Sequence, residues 1–323
     1  MATQEVAFLH RELEERKRRL ESAIALSPRD ASLGGLLREV DSALERMAIG
    51  TYGLCERCHE PIEQERLLAN PLLRYCLCDL SESDLHALQR DLELAAQVQQ
   101  NLLPLAGLRA GGWETSYHYA PLGPVSGDYC DLIPGDGQLF FVLGDVSGKG
   151  VAASMLMTQL HALFRSLTRM GLPLEQIVPQ VNRVFCESSL AGHYATLVCG
   201  QALPNGEVEI HNAGHCPAFV LQRSGIARIE STGLPLGMFC EVSFCGTKLH
   251  LEQGDTLFLY TDGFSEARRA DEEFGEDRIA KLLCQQEGRR PAEVIAACLK
   301  DLHSFIDRPP FDDVTLLAIQ RMA

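Results

Sequence analysis

Four short acidic signatures follow one another along the last two thirds of the chain: Ser126-Gly127-Asp128-Tyr129-Cys130-Asp131, Gly144-Asp145-Val146-Ser147-Gly148-Lys149-Gly150, Thr261-Asp262-Gly263 and Asp312-Asp313-Val314-Thr315. Each places an aspartate at the junction of a predicted strand and a turn. One such dipeptide is ordinary turn chemistry, because aspartate and glycine both favour tight reversals. Four in series demand more: a fold that gathers distant strand ends collects carboxylates, and gathered carboxylates call for hard cations such as Mg²⁺ or Mn²⁺. Metal-assisted phosphoryl chemistry is the expectation.

The hydrophobic pattern supplies such a fold. Beyond Gly111 short strands are predicted at 113–119, 128–133, 138–143, 195–203, 208–212, 218–222 and 256–260, with Val314-Thr315-Leu316-Leu317 as a final strand. Helices with a 3.6-residue apolar period interrupt at about 152–170, 173–190, 276–286 and 291–306. Strands that adjoin by hairpins, with helices set apart, predict an α+β core built on antiparallel sheets. Leu139-Phe140-Phe141-Val142-Leu143 is a buried strand that delivers Asp145, and Leu257-Phe258-Leu259-Tyr260 delivers Asp262. Asp136 and Asp255 read as turn residues, while Asp131 and Asp313 either cap a turn or orient a neighbouring ligand.

The first third is organised differently. Val6, Leu9, Leu13, Leu20 and Ile24 share one helical face, as do Leu33, Leu37, Val40, Leu44 and Met47 after the break at Ser27-Pro28-Arg29-Asp30, predicting an antiparallel helical hairpin. Cys55-Glu56-Arg57-Cys58, with Cys76 and Cys78 beyond a short loop, predicts a metal-stapled knuckle. From Ser83 to Leu103 a stripe of Leu85, Leu88, Leu92, Ala95, Val98 and Leu102 marks a linker helix stopped by Pro104. That stripe either packs on its own catalytic domain or forms a two-chain coiled-coil seam, which would make a homodimer. The expected domains are therefore 1–82, 83–104 and 105–323.

Composition narrows the classes further. The formal net charge is −15 and no basic face announces nucleic acid. No run of about 18 apolar residues predicts a membrane span. The N-terminus lacks the apolar core of an export signal, so a soluble cytoplasmic protein is expected. Of 12 cysteines, the eight outside the knuckle are expected as reduced, buried small hydrophobes.

The signatures and their order resemble the PPM-type metal-dependent serine/threonine phosphatases of the SpoIIE/RsbU-like branch, over about residues 88–323. Leu92-Glu93-Leu94-Ala95-Ala96-Gln97-Val98-Gln99-Gln100-Asn101-Leu102-Leu103-Pro104 is similar to that branch's regulatory linker. Asn212-Ala213-Gly214-His215, Gly233-Leu234-Pro235-Leu236-Gly237 and Thr261-Asp262-Gly263-Phe264-Ser265-Glu266-Ala267 also look like family segments. The resemblance implies an antiparallel β-sandwich flanked by helices and a catalytic set of Asp128, Asp145, Asp262 and Asp312. It also implies two Mn²⁺ or Mg²⁺ ions: Asp145 bridging both, the Val146 carbonyl on one, Asp262 and Asp312 on the other, and Asp128 acting through a coordinated water. Such ions neutralise phosphoryl oxygens and acidify an attacking water. Ser147 stands where the better-known eukaryotic members carry histidine, so the general acid is unassigned, and His215 is read as a structural turn residue.

Gly50-Thr51-Tyr52-Gly53-Leu54-Cys55-Glu56-Arg57-Cys58, Pro61-Ile62 and Arg66-Leu67 resemble the DksA/TraR zinc ribbon. This implies structural Zn²⁺ on Cys55, Cys58, Cys76 and one of Cys78 or Asp79, since thiolate and carboxylate are both zinc donors. The two resemblances together imply a cytoplasmic phosphatase regulated by its zinc-ribbon domain through the linker. Its implied substrate is a phosphorylated regulatory protein such as an anti-sigma-factor antagonist. The alternative is a transcription-interaction protein engaging RNA polymerase through the N-terminal module, against which stand short hairpin arms and a tip with Asp30 as its one acidic residue.

Overall fold

Alternate residues of the central strands point into different layers of core, and this period of two builds the larger part of the molecule. The computed structural model describes residues 3–26, 31–63, 66–67, 70–77, 82–135, 137–189, 192–270, 272–307 and 311–322. Its chain divides into two compact units, Met1–Asp91 and Leu92–Ala323.

In the second unit the strands are β1 (Arg109–Ala110), β2 (Trp113–Ala120), β3 (Asp128–Pro134), β4 (Leu139–Val146), β5 (Ala195–Ala202), β6 (Glu207–Ala213), β7 (Ala218–Gln222), β8 (Gly225–Ile229), β9 (Thr247–His250), β10 (Thr256–Tyr260) and β13 (Val314–Arg321), with a short pair β11 (Arg268–Arg269) and β12 (Glu272–Glu273). They form a six-stranded sheet of order β1-β2-β13-β10-β7-β8 and a five-stranded sheet of order β3-β4-β5-β6-β9. Every ladder is antiparallel.

Phe141 and Leu143 of β4 pack with Leu257 and Leu259 of β10 and Leu317 and Ile319 of β13 between the sheets. Phe140 and Val142 face the opposite way, against Met157, Leu160 and Phe164 of α4 (Val151–Arg169) and Ile177, Val181 and Phe185 of α5 (Leu174–Ser188). Phe258, Tyr260, Leu316 and Ala318 cover the other outer face beneath α7 (Glu276–Cys284) and α8 (Pro291–Phe305). A four-layer α/β/β/α sandwich results, and strands buried on both faces explain the near-continuous apolar runs of β4, β10 and β13.

The predicted strands and these four helices are present, with β7 and β10 as predicted and the other ends displaced by at most three residues, while β13 continues to Arg321, well beyond the predicted Leu317. The weakly apolar β1, β8 and β9 and the one-turn helix α6 (Asp262–Ser265) were not predicted. Pro291 at the first helical position and the Glu293 carboxylate accepting from the Arg290 backbone N–H at 3.2 Å start α8.

In the first unit α1 (Thr3–Leu26) and α2 (Ala31–Ala48) pack through Leu13 against Val40 and Ala43, with Lys17 and Asp41 paired at 2.7 Å. Ser27 to Asp30 lie outside the described residues. Helix α3 (Glu82–Gln100) follows, leaving Leu88, Leu94 and Val98 exposed, while Leu102 beyond its end packs on the α4/α5 side of the core. Among the described residues, no helix is long and apolar enough to cross a membrane.

One cysteine expectation needs correction. Cys130, Cys199 and Cys298 are buried thiols, but Cys186 and Cys240 form a disulfide that ties α5 to the loop after Gly237, and Cys245 and Cys284 are exposed. The two partners are 54 residues apart, so their proximity depends on the tertiary fold.

Candidate active site

Antiparallel pairing of β3 with β4 sets Asp128 directly across from Asp145. Asp262 opens α6 at the exit of β10, and Asp312 lies two residues before β13, the neighbour of β10. The sequence-predicted aspartates thus come from the same end of two facing sheets, and their charges act on one another. Burial, then Asp262, Asp312 and Asp313, push the Asp145 carboxyl up to about 8. Burial, then Asp312 and Glu266, push Asp262 up to about 6. Asp128, almost fully buried, is held well above the ordinary carboxylate range by burial and then by Asp145. Buried carboxylates that repel one another form a site short of positive charge.

The backbone leaves room for a ligand there. A Cβ on Gly127 would stand 2.9 Å from the Val146 carbonyl oxygen and 3.3 Å from Asp145 Oδ1, so both oxygens border the space that this glycine leaves open. On the other side, a Cβ on Gly263 would stand 2.0 Å from the Asp313 carbonyl oxygen, so only glycine lets α6 approach the Asp312-Asp313 segment. The donors are hard oxygens, and they suit Mg²⁺ or Mn²⁺. They are more widely spaced than the zinc-type cage in the first unit: among the described residues only Cys55, Cys58 and Cys76 bring three candidate ligand atoms within 4.8 Å of one another.

Thr261, Thr315 and Gln99 support the site without having been predicted, while Asp313 was expected to cap a turn or orient a neighbouring ligand. Asp128 Oδ2 accepts hydrogen bonds from Thr261 Oγ1 at 3.0 Å and Thr315 Oγ1 at 2.5 Å, which ties β3 to the ends of β10 and β13. Asp313 accepts from Leu122 N at 2.6 Å, Ser126 Oγ at 2.6 Å and Gly127 N at 3.2 Å, fixing the loop that leads into Asp128. The Gln99 side chain, at the end of α3, clamps both backbone groups of Ser126, at 2.7 and 2.9 Å. Both threonines sit inside the acidic signatures, but their bonds to Asp128 span 133 and 187 residues, and Gln99 likewise carries no local signal. Ser147 accepts from Tyr194 N at 2.9 Å, a structural bond. His215 is buried, its Nδ1 2.8 Å from Thr196 Oγ1, and burial lowers it to about 4. Asp131 points elsewhere and pairs with Arg165 of α4 at 2.7 and 2.8 Å. Asp255 accepts from Glu252 N in a turn, and Asp136 lies outside the described residues.

In the first unit, Cys58 and Cys76 Sγ are 3.5 Å apart. The backbone N–H groups of Cys58 and Cys76 lower the Cys55 thiol to about 6. Three thiols gathered this closely, with Cys55 held toward its thiolate, fit Zn²⁺. Cys78 and Asp79 lie outside the described residues.

A model of the stage II sporulation protein E (SpoIIE) family matches residues 135–322, more than half of the chain. The chain belongs to the SpoIIE family. Residues 50–78 match the prokaryotic dksA/traR C4-type zinc finger, so this SpoIIE-family chain carries that finger ahead of its phosphatase-type sandwich. It is 30% identical over 263 residues to protein IcfG of Synechocystis, a match covering 72% of this chain and 41% of IcfG. It is 25% identical over 237 residues to the phosphoserine phosphatase RsbU of Bacillus subtilis, covering 72% of this chain and 71% of RsbU. The SiaA-PP2C domain of Pseudomonas aeruginosa shares the fold, with a TM-score of 0.65 at 16% identity over 74% of this chain and 99% of that domain.

Proposed function

We propose that the chain is a divalent-metal-dependent protein serine/threonine phosphatase. Asp145, the Val146 carbonyl, Asp262 and Asp312 hold two cations, and Asp128 contributes through the oxygen that its threonine partners leave open. The observation that carries this reading is the set of strand-end carboxylates raising one another's proton affinity at the mouth of the sandwich. Bound there, Mn²⁺ or Mg²⁺ would neutralise phosphoryl oxygens and acidify water. The chain's own residues do the positioning: Asp313 and Gln99 hold the Ser126-Gly127 turn, and Gly127 keeps the space beside Asp145 open.

The likeness to RsbU, a phosphoserine phosphatase, supports phosphoserine as the substrate group; we extend this to phosphothreonine and to a regulatory protein, such as an anti-sigma-factor antagonist, as its bearer. The finger match and the cysteine trio support a structural zinc ribbon as the regulatory input, in the domain order 1–82, linker 83–104, catalytic 105–323. The exposed Leu88 and Val98 of the α3 stripe support a homodimer seam in the linker.

The test is Mn²⁺-titrated hydrolysis of p-nitrophenyl phosphate by the full chain and by Asp262→Asn, with Mn²⁺ binding followed by calorimetry. Turnover that requires Mn²⁺ and is lost in the variant is expected. Absence of both turnover and Mn²⁺ binding in the wild type would sink the reading. A Cys76→Ser chain that lost zinc and kept unaltered turnover would remove the regulatory role of the ribbon.

A further inference from the structure

Lys149 is the basic side chain that acts on this ring of carboxylates. It stands between Gly148 and Gly150, whose φ values of 97° and 74° bend the turn between β4 and α4. Its Nζ lies 2.9 Å from Asp312 Oδ2 and donates to the Phe311 carbonyl oxygen at 2.8 Å, with half of the side chain, 51%, exposed. Its charge lowers the proton affinity of Asp145 and Asp262, against the burial and repulsion that raise it. Both of its partners line an open cavity of about 290 Å³, whose other walls include Gly263, Glu266, Ala267 and Arg268. The cavity therefore opens beside the first residues of α6, next to Asp262 and Asp312.

A phosphoryl group brings about two negative charges to this place. Asp312 meanwhile has both oxygens engaged, Oδ1 by the Asp313 N–H at 2.9 Å and Oδ2 by Lys149. A divalent cation on Asp312 competes with the ammonium for that carboxylate, and a displaced ammonium remains tethered at the cavity rim. Lysine suits that role: a compact charge with three donors on a flexible stem can follow phosphoryl oxygens as it leaves Asp312. Arg268, the cation of the cavity wall itself, is held at 2.5 Å by Glu273 across the β11–β12 ladder, whereas Lys149 reaches the cavity through its partners Phe311 and Asp312.

We propose that Lys149 is the residue that binds the substrate's phosphoryl group, exchanging Asp312 for the oxygens of a phosphoserine or phosphothreonine side chain seated in the cavity. This rests on the phosphatase reading above. The experiment compares full-length wild type, Lys149→Met and Lys149→Arg at saturating Mn²⁺ for each. Three quantities are read: KM for p-nitrophenyl phosphate, Ki for inorganic phosphate, and Mn²⁺ affinity by calorimetry without substrate.

Lys149→Met is expected to raise both KM and the phosphate Ki about tenfold, the loss of one charge-assisted contact. Mn²⁺ should bind at least as tightly, because a competitor for Asp312 is gone, and Lys149→Arg should recover most of the phosphate affinity. KM and Ki within twofold of wild type in the Met variant, with only Mn²⁺ affinity altered, would overturn the proposal and leave Lys149 as a partner of Asp312 alone. A wild type without turnover overturns the phosphatase reading and this proposal together, whereas an active wild type beside an unaffected variant overturns the proposal only.

Discussion

Arg165→Met tests how β3 is anchored behind the carboxylate ring. Asp131 is fully buried three residues beyond Asp128, and Arg165 meets it with two charge-assisted bonds of 2.7 and 2.8 Å. Methionine keeps the apolar stem and removes the guanidinium, stranding a carboxylate whose remaining donors are Leu132 N at 2.8 Å and Tyr129 Oη at 3.4 Å. Breaking a buried pair from one side costs about 3–5 kcal/mol. Arg165 is itself 32% exposed, so water moderates the loss and about 2–3 kcal/mol is expected. At roughly 2–4 °C per kcal/mol for a unit of this size, the melting midpoint should fall by about 4–12 °C.

His161 adds a signature. Its Nε2 is 3.6 Å from Asp131 Oδ2, its proton affinity is lowered by burial and by Arg165, and Asp131 opposes that. Removing Arg165 therefore raises the folded-state pKa of His161. A histidine held low on folding destabilises the folded state as pH falls, and without Arg165 that loss is smaller in the variant than in the wild type. The deficit of the variant should be smaller at pH 5.5 than at pH 8, and Asp131→Asn in the same chain should recover about 1–2 kcal/mol. Circular-dichroism melts at both pH values decide it. A deficit below about 1 kcal/mol, or one that grows on acidification, would refute this reasoning.

Three further outcomes follow from the same geometry. Gly127→Ala would set a methyl 2.9 Å from the Val146 oxygen, so about 1–3 kcal/mol of overpacking should lower the melting midpoint by roughly 2–12 °C, and the narrowed space beside Asp145 should reduce Mn²⁺ affinity roughly tenfold or more in calorimetry. The metal-free protein should lose stability between about pH 4 and pH 8. Asp145 and Asp262 have raised folded-state pKa values, so the folded state binds more protons than the unfolded one across that window, and Mn²⁺ should reverse the trend in thermal melts at pH 8. Reductant should lower the melting midpoint, since opening a 54-residue cross-link costs about 2–4 kcal/mol; a Cys186→Ser chain should be insensitive to it.

The architecture was legible because β4, β10 and β13 are apolar on both faces and the helices carry a clear 3.6-residue period. What escaped was decided elsewhere. Strand β8 has the burial pattern of an edge and lacks an apolar run, so only its ladder with β7 defines it. Asp131 looked like a relative of Asp128 because both share one signature; the choice between a turn and a buried pair was made by Arg165, on a helix 34 residues away. The support of the carboxylates by Thr261, Thr315 and Gln99 consists of bonds spanning 27 to 187 residues, and no local pattern encodes these. The Cys186–Cys240 bond eluded the composition argument for the same reason.

The two threonine hydroxyls that converge on Asp128 fasten one sheet to the other at a single end of the sandwich. That end works as a clasp: sliding of one sheet past the other changes the separation of Asp128 and Asp145 from Asp262 and Asp312. The spacing of the carboxylates is therefore a gauge of inter-sheet register. Substitutions that repack Phe141 or Leu317, apolar residues between the sheets, should retune cation affinity without altering a single ligand.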